Sequence, residues 1–74
     1  MLTGKRFKLG RATLAIDRAG SARRAVTIPS GSIIKVISTP PDTKGIIEVS
    51  WEDRRLEMFA VDVDLRGTEI PADS

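Results

Sequence analysis

Residues 45–59 read GIIEVSWEDRRLEMF, and this stretch decides the fold class. Ile47, Val49 and Trp51 share one face at period two, with Glu48 and Ser50 on the other. After Glu52-Asp53, Leu56 and Met58 alternate with Arg55 and Glu57. Successive side chains of an extended backbone point to opposite faces, so a period of two is the signature of a half-buried strand. Two such runs around a two-residue gap predict a β-hairpin, although Glu-Asp is poorer turn chemistry than Asn-Gly or Asp-Gly.

Upstream, residues 26–37 read VTIPSGSIIKVI. Val26-Thr27-Ile28 is β-branched throughout and favours extended backbone. Pro29 suits the second position of a tight turn and Gly31 its end, while proline biases Ile28 towards the β region. Residues 32–37 form a second strand-like run, stopped by STPPDTKG, a loop by composition because adjacent prolines cannot sit inside a paired central strand. Downstream, AVDVDLRG (residues 60–67) reads either as a strand or as a single helical turn ended by Gly67, with Thr68-Glu69-Ile70 as a short last strand.

Residues 10–25 admit two readings. Ala12, Ala15, Ile16, Ala19 and Ala22 fall at helical spacing, and alanine and arginine favour helix. Against that, Phe7 and Leu9, then Ala12, Leu14 and Ile16, alternate with one slip at Gly10-Arg11 that a β-bulge absorbs. Gly20-Ser21 interrupts the helical pattern. The preferred reading is a strand to about Ile16, then a polar hairpin loop through Arg24. The total is five or six short strands at intervals near ten residues, an all-β chain forming a small barrel or sandwich.

Seventy-four residues make one domain, with an ordered core expected over about residues 5–70. A chain this short buries only ~60% of its unfolded surface, so self-association is a natural staple. There is no cysteine and no histidine, which leaves no disulfide, no thiolate metal site and neither the usual nucleophile nor the usual base. The chain is therefore expected to be non-catalytic, with no cofactor and no metal. The first twenty residues lack the apolar run of a signal peptide, and no segment approaches a membrane span, so a cytoplasmic setting is expected. Charge is unevenly placed: residues 1–35 carry a net +7 and residues 36–74 a net −5. Such asymmetry either marks a basic face for polyanions or cancels where the segments lie side by side.

The IPSG turn, the hairpin GIIEVSWEDRRLEMF and the AVDVDLRG turn before TEI together resemble an SH3-like β-barrel, from about Phe7 to Ile70. Many barrels of this type place a single helical turn before the last strand. The chain is also similar to small uncharacterised bacterial proteins with an IPxG turn and an MFAxD-type segment, which carry over no function. The resemblance implies a binding module, since SH3-like barrels take peptides, modified lysines, nucleic acids or partner subunits. Type II dihydrofolate reductases share the barrel and build an active site by tetramer assembly. This chain lacks their Val-Gln-Ile-Tyr segment, so that activity does not carry over.

Two candidate surfaces follow. Self-association or docking on a protein would use an apolar strip including Trp51, Phe59 and the exposed member of Ile33/Ile34, for which Ile33 is the candidate. Trp51 is in phase with Ile47 and Val49 and reads as core or barrel-end packing; were it outward with Phe59, the pair would form a stacking platform. The chain has no tyrosine, which disfavours an aromatic peptide groove or cage. The alternative is nucleic-acid contact by Lys5, Arg6, Lys8, Arg11, Arg23 and Arg24, provided the first strand and the following loop lie adjacent. Otherwise these residues protect a strand edge. Asp62, Asp64 and Glu69 lack calcium-loop spacing, and Asp62 is expected to cap the short turn with Arg66 as its ion-pair partner.

Overall fold

Seven strands and one helix make up the computed structural model, which describes residues 3–18, 22–39 and 45–71. The strands are β1 (Arg6–Leu9), β2 (Thr13–Asp17), β3 (Arg24–Ile28), β4 (Ile33–Ser38), β5 (Ile46–Trp51), β6 (Arg54–Phe59) and β7 (Gly67–Ile70). The helix α1 (Ala60–Arg66) lies between the last two strands. All pairings are antiparallel, in one sheet of order β3-β2-β6-β5-β4-β1-β7. The end strands β3 and β7 do not pair with each other, so the sheet is not closed into a barrel. The β7 edge is blunted in ordinary ways: it has only four residues, and Pro71 behind it has no N–H to offer.

One core nevertheless serves the whole sheet. Phe7, Leu9, Ala15, Ile28, Ile34, Val36, Ile47, Val49, Leu56, Met58 and Val63 are buried in a single cluster. A flat seven-stranded sheet would set its outer strands roughly 29 Å apart. One seven-residue helix cannot cover so wide a face, yet the inward residues of that face are almost fully buried, so the sheet curls around its inner face. Trp51, Val26 and Ala60 are partly buried and pack against the same cluster.

The hairpin predicted at residues 45–59 is β5–β6, paired from Ile46↔Phe59 to Trp51↔Arg54. Its turn residues Glu52 and Asp53 both have positive φ, 49° and 63°, the left-handed pair that matches the twist of a two-residue hairpin. The IPSG turn forms one residue later than expected. Pro29 takes the first position and accepts from the Ser32 N–H at 3.2 Å, which leaves Gly31 third, at φ 87°. That is the position in which glycine is unstrained. The turn is tied to β1 by Gly31 N–H to the Leu9 carbonyl (2.7 Å) and Leu9 N–H to the Ser32 carbonyl (2.9 Å).

Three expectations need correction. The five or six strands are seven, because the run from Phe7 to Ile16 is not one bulged strand. It divides into β1 and β2, which lie in separate parts of the sheet, joined through Gly10, whose N–H donates to the Arg66 carbonyl at 2.7 Å. The division also inverts the phase of β2. Thr13 and Ala15 point inward, and Leu14 is 56% exposed. Thr13 tolerates burial because its hydroxyl donates to the Arg11 carbonyl at 3.0 Å. A register shift does occur between Val36 and Ser38 on β4, where it pairs with β5.

The short helix expected before the last strand is present as α1, seven residues long, but Asp62 and Arg66 do not take the roles expected of them there. Phe59 occupies the N-cap without a side-chain cap bond, and Asp62 sits in the first turn. There it favours the helix dipole without capping it. Arg66 does not pair with Asp62; its guanidinium donates to the Ala12 carbonyl at 3.3 Å. Strand pairing agrees with the preferred reading of residues 10–25, since β2 and β3 are antiparallel from Thr13↔Ile28 to Asp17↔Arg24. Residues 19–21 of the expected polar loop, and residues 40–44 of the STPPDTKG loop, lie outside the described residues.

Candidate functional site

Among the described residues no buried side-chain nitrogen or oxygen lacks a partner, so nothing polar in the interior is aimed at a ligand. The candidate sites are on the outer side of the curled sheet. Each strand alternates, and what its outward positions carry follows from the register.

On β5 the outward series is Ile46, Glu48, Ser50, and on β6 it is Phe59, Glu57, Arg55, paired in that order. Beside them, Ile16 of β2 pairs with Glu57. Leu14, two residues back on β2, comes alongside Phe59. Leu14, Ile16, Ile46 and Phe59 therefore line a shallow apolar cleft of about 80 Å³, floored by Met58 and edged by Glu57 and Asp62. Phe59 is 49% exposed, as its phase against buried Met58 requires. Leu14, Ile16 and Ile46 were missed by sequence reasoning. Large apolar residues were assigned inward, and the available signal was the smallness of Ala15, which packs inside a crowded core.

The three expected apolar candidates do not come together. Trp51 packs against the core, Phe59 lies in the outer cleft, and Ile33, 51% exposed, sits on β4 opposite Lys8. Ile33 is indeed the exposed member of its pair, and Ile34 is fully buried. The stacking platform of Trp51 with Phe59 does not form.

The six basic candidates are also dispersed. Arg6 and Lys8 point outward from β1, while Lys5 pairs with Glu69 at 3.4 Å. Arg11 is exposed in the β1–β2 connection, and Arg23 and Arg24 are exposed at the start of β3. Four strands intervene between β1 and β3 in the sheet. The register instead sets Arg6 opposite Lys35, Lys35 opposite Ser50, and Ser50 opposite Arg55. Lys35 and Arg55 were not among the candidates; only strand pairing brings them into line.

Other cations have structural partners: Arg54 donates to Asp17 at 2.6 Å and Arg18 to Glu57 at 3.1 Å. Among the described residues no group of three or more His, Cys, Asp or Glu could hold a metal ion. Asp62 edges the cleft, Asp64 is exposed and Glu69 is held by Lys5. No helix among them is long and apolar enough to cross a membrane. Comparisons with protein-family models, with curated proteins and with solved structures find no match to this chain.

Proposed function

We propose that this chain is a non-catalytic binding module with SH3-like barrel organisation, and that it docks a protein segment in the cleft between β2 and the β5–β6 hairpin. Support for the SH3-like reading comes from one core filled by a single curled sheet, the tight IPSG turn, and a short helix directly before the last strand. The docking reading rests on one observation: Leu14 and Phe59 stand half exposed over an apolar cleft that no described element covers. Burying such surface is the main driving force for association. The rim carries Asp62 and also Glu57, whose charge Arg18 partly offsets, so the complementary segment has one medium-sized apolar anchor with a lysine or arginine flank on the Asp62 side.

The test is a random-peptide selection on the wild type, followed by NMR titration of the enriched peptides. Basic-flanked apolar peptides should emerge, with amide shifts centred on Leu14, Ile16, Ile46 and Phe59. Phe59→Ser should weaken binding about tenfold, the scale of one truncated aromatic anchor, without loss of folding. Peptides that bind the variant as tightly as the wild type, or shifts confined elsewhere, would refute the reading. Concentration-dependent sedimentation abolished by the same substitution would assign a second copy of the chain as the occupant.

A further inference from the structure

The outer face holds a second arrangement, independent of the cleft. From the cross-strand row of Arg6, Lys35, Ser50 and Arg55 we infer that this protein contacts the phosphodiester backbone of a nucleic acid across β1, β4, β5 and β6. The four residues are direct ladder partners in sequence. Arg6, Lys35 and Arg55 are exposed, whereas Phe7, Ile34, Val36, Val49 and Leu56, the alternate residues of the same strands, are buried. Neighbouring strands are about 4.8 Å apart, so the row runs roughly 14 Å from end to end. Lys8 extends the charge along β1.

Arg6, Lys35 and Arg55, and Lys8 beside them, have no carboxylate partner among the described residues, in contrast to Lys5, Arg18 and Arg54. The Ser50 hydroxyl adds a neutral donor in the middle of the line. Guanidinium groups match phosphate oxygens through two parallel hydrogen bonds, which favours Arg6 and Arg55 as the end contacts. Lys35, Ser50 and Arg55 line an open depression with Thr3, Gly4, Val36, Ile37 and Asp53, and Arg6 stands outside it. An open depression of this kind does not enclose a small anion. The row is also one residue wide. Glu48 faces Glu57 one outward position along β5 and β6, an acidic line that repels a broad anionic membrane surface.

The experiment is fluorescence anisotropy with labelled single-stranded DNA, single-stranded RNA and duplex, at ~50 and ~200 mM salt. Three phosphate contacts give a log–log salt slope of about −2 for single strands and −2.7 for duplex, a loss of roughly 20- to 40-fold across that range. Arg6→Gln, Lys35→Gln and Arg55→Gln should each lower the slope by nearly one, and the triple variant should abolish binding. Arg24→Gln, remote in the sheet, should leave binding unchanged, and so should Phe59→Ser, which separates this site from the cleft. Circular dichroism of each variant establishes that the fold is retained. Row variants that bind as the wild type overturn the inference. So does equal, row-dependent binding of polyglutamate or anionic vesicles, which would make the row a general acidic-surface contact.

Discussion

Gly67 is where α1 ends and β7 begins, and a single methyl group there tests how tightly the helix is pinned to the sheet. Its φ of −105° is open to any residue, so backbone strain plays no part. Space does. A Cβ on Gly67 would stand 2.7 Å from the Val63 carbonyl oxygen, 3.3 Å from Phe7 Cβ and 3.6 Å from Leu9 Cδ2. The same carbonyl accepts the Gly67 N–H that closes the helix, and Val63 is itself buried in the core. The oxygen can move away only by breaking that hydrogen bond and displacing a packed side chain. Phe7 and Leu9, both buried, block movement in the other direction.

Overpacking of this kind costs about 1–3 kcal/mol, and we take about 2 kcal/mol for Gly67→Ala. At ~0.05–0.15 kcal/mol per residue the whole domain is worth about 4–11 kcal/mol, so the change removes a substantial share. For a chain of this length it should lower Tm by about 8–16 °C. Thermal denaturation followed by circular dichroism reads this directly, with Thr68→Ala, an exposed neighbour on β7, as the control that should shift little. The displaced helix also carries Asp62 on the rim of the apolar cleft, so amide shifts should spread from Val63 to Asp62. A Gly67→Ala protein melting within about 2 °C of the wild type would refute the close approach.

The β5–β6 turn gives the opposite sign. Glu52 and Asp53 are held at positive φ, which costs an ordinary side chain about 1–2 kcal/mol per residue. Glu52→Asn with Asp53→Gly should therefore raise stability by about 1 kcal/mol in thermal or urea unfolding, after the extra flexibility of glycine is offset. The inward and outward phases are separated by two leucines. Leu56→Ala, in the core, should cost about 2–5 kcal/mol and lower the urea midpoint by roughly 1–3 M, whereas Leu14→Ser, on the outer face, should leave the midpoint nearly unchanged. Equal destabilisation by the two would contradict the inverted phase of β2.

Wherever alternation was long and uninterrupted, the sequence was sufficient. The β5–β6 hairpin follows from period two around a two-residue gap, and the short last strand from Gly67 and Pro71 at its ends; which of Met58 and Phe59 is exposed was left open by the sequence. The N-terminal region was harder for a physical reason. Gly10-Arg11-Ala12 redirects the chain between distant strands, and a local slip in periodicity looks the same whether it marks a bulge or a departure. Once β1 and β2 are separate, nothing local fixes the phase of β2. Ala15 is buried, and Thr13 tolerates the interior beside it because a backbone carbonyl satisfies its hydroxyl. The cationic row was illegible for a different reason. Arg6, Lys35 and Arg55 are separated by about thirty and twenty positions along the chain, and only register makes them neighbours. Their charges were visible, but their alignment is a property of the sheet.

The two surfaces are kept apart by what lies between them. Along β6 the outward residues are Arg55, Glu57 and Phe59; along β5 they are Ser50, Glu48 and Ile46. Successive outward positions lie about 6.8 Å apart, so basic, acidic and apolar rows follow one another across the hairpin. Like charges directly opposite in a ladder are unfavourable, and Glu48 opposite Glu57 is such a pair, offset on one side by Arg18. The acidic row repels phosphate from the cleft and attracts the basic flanks of a segment docking there. If both proposals hold, the same two carboxylates would turn each ligand class away from its neighbour's row. A polyanion on Arg55 and a basic peptide beside Glu57 would also lie close enough to attract each other, so the two proposed ligands would favour each other's binding.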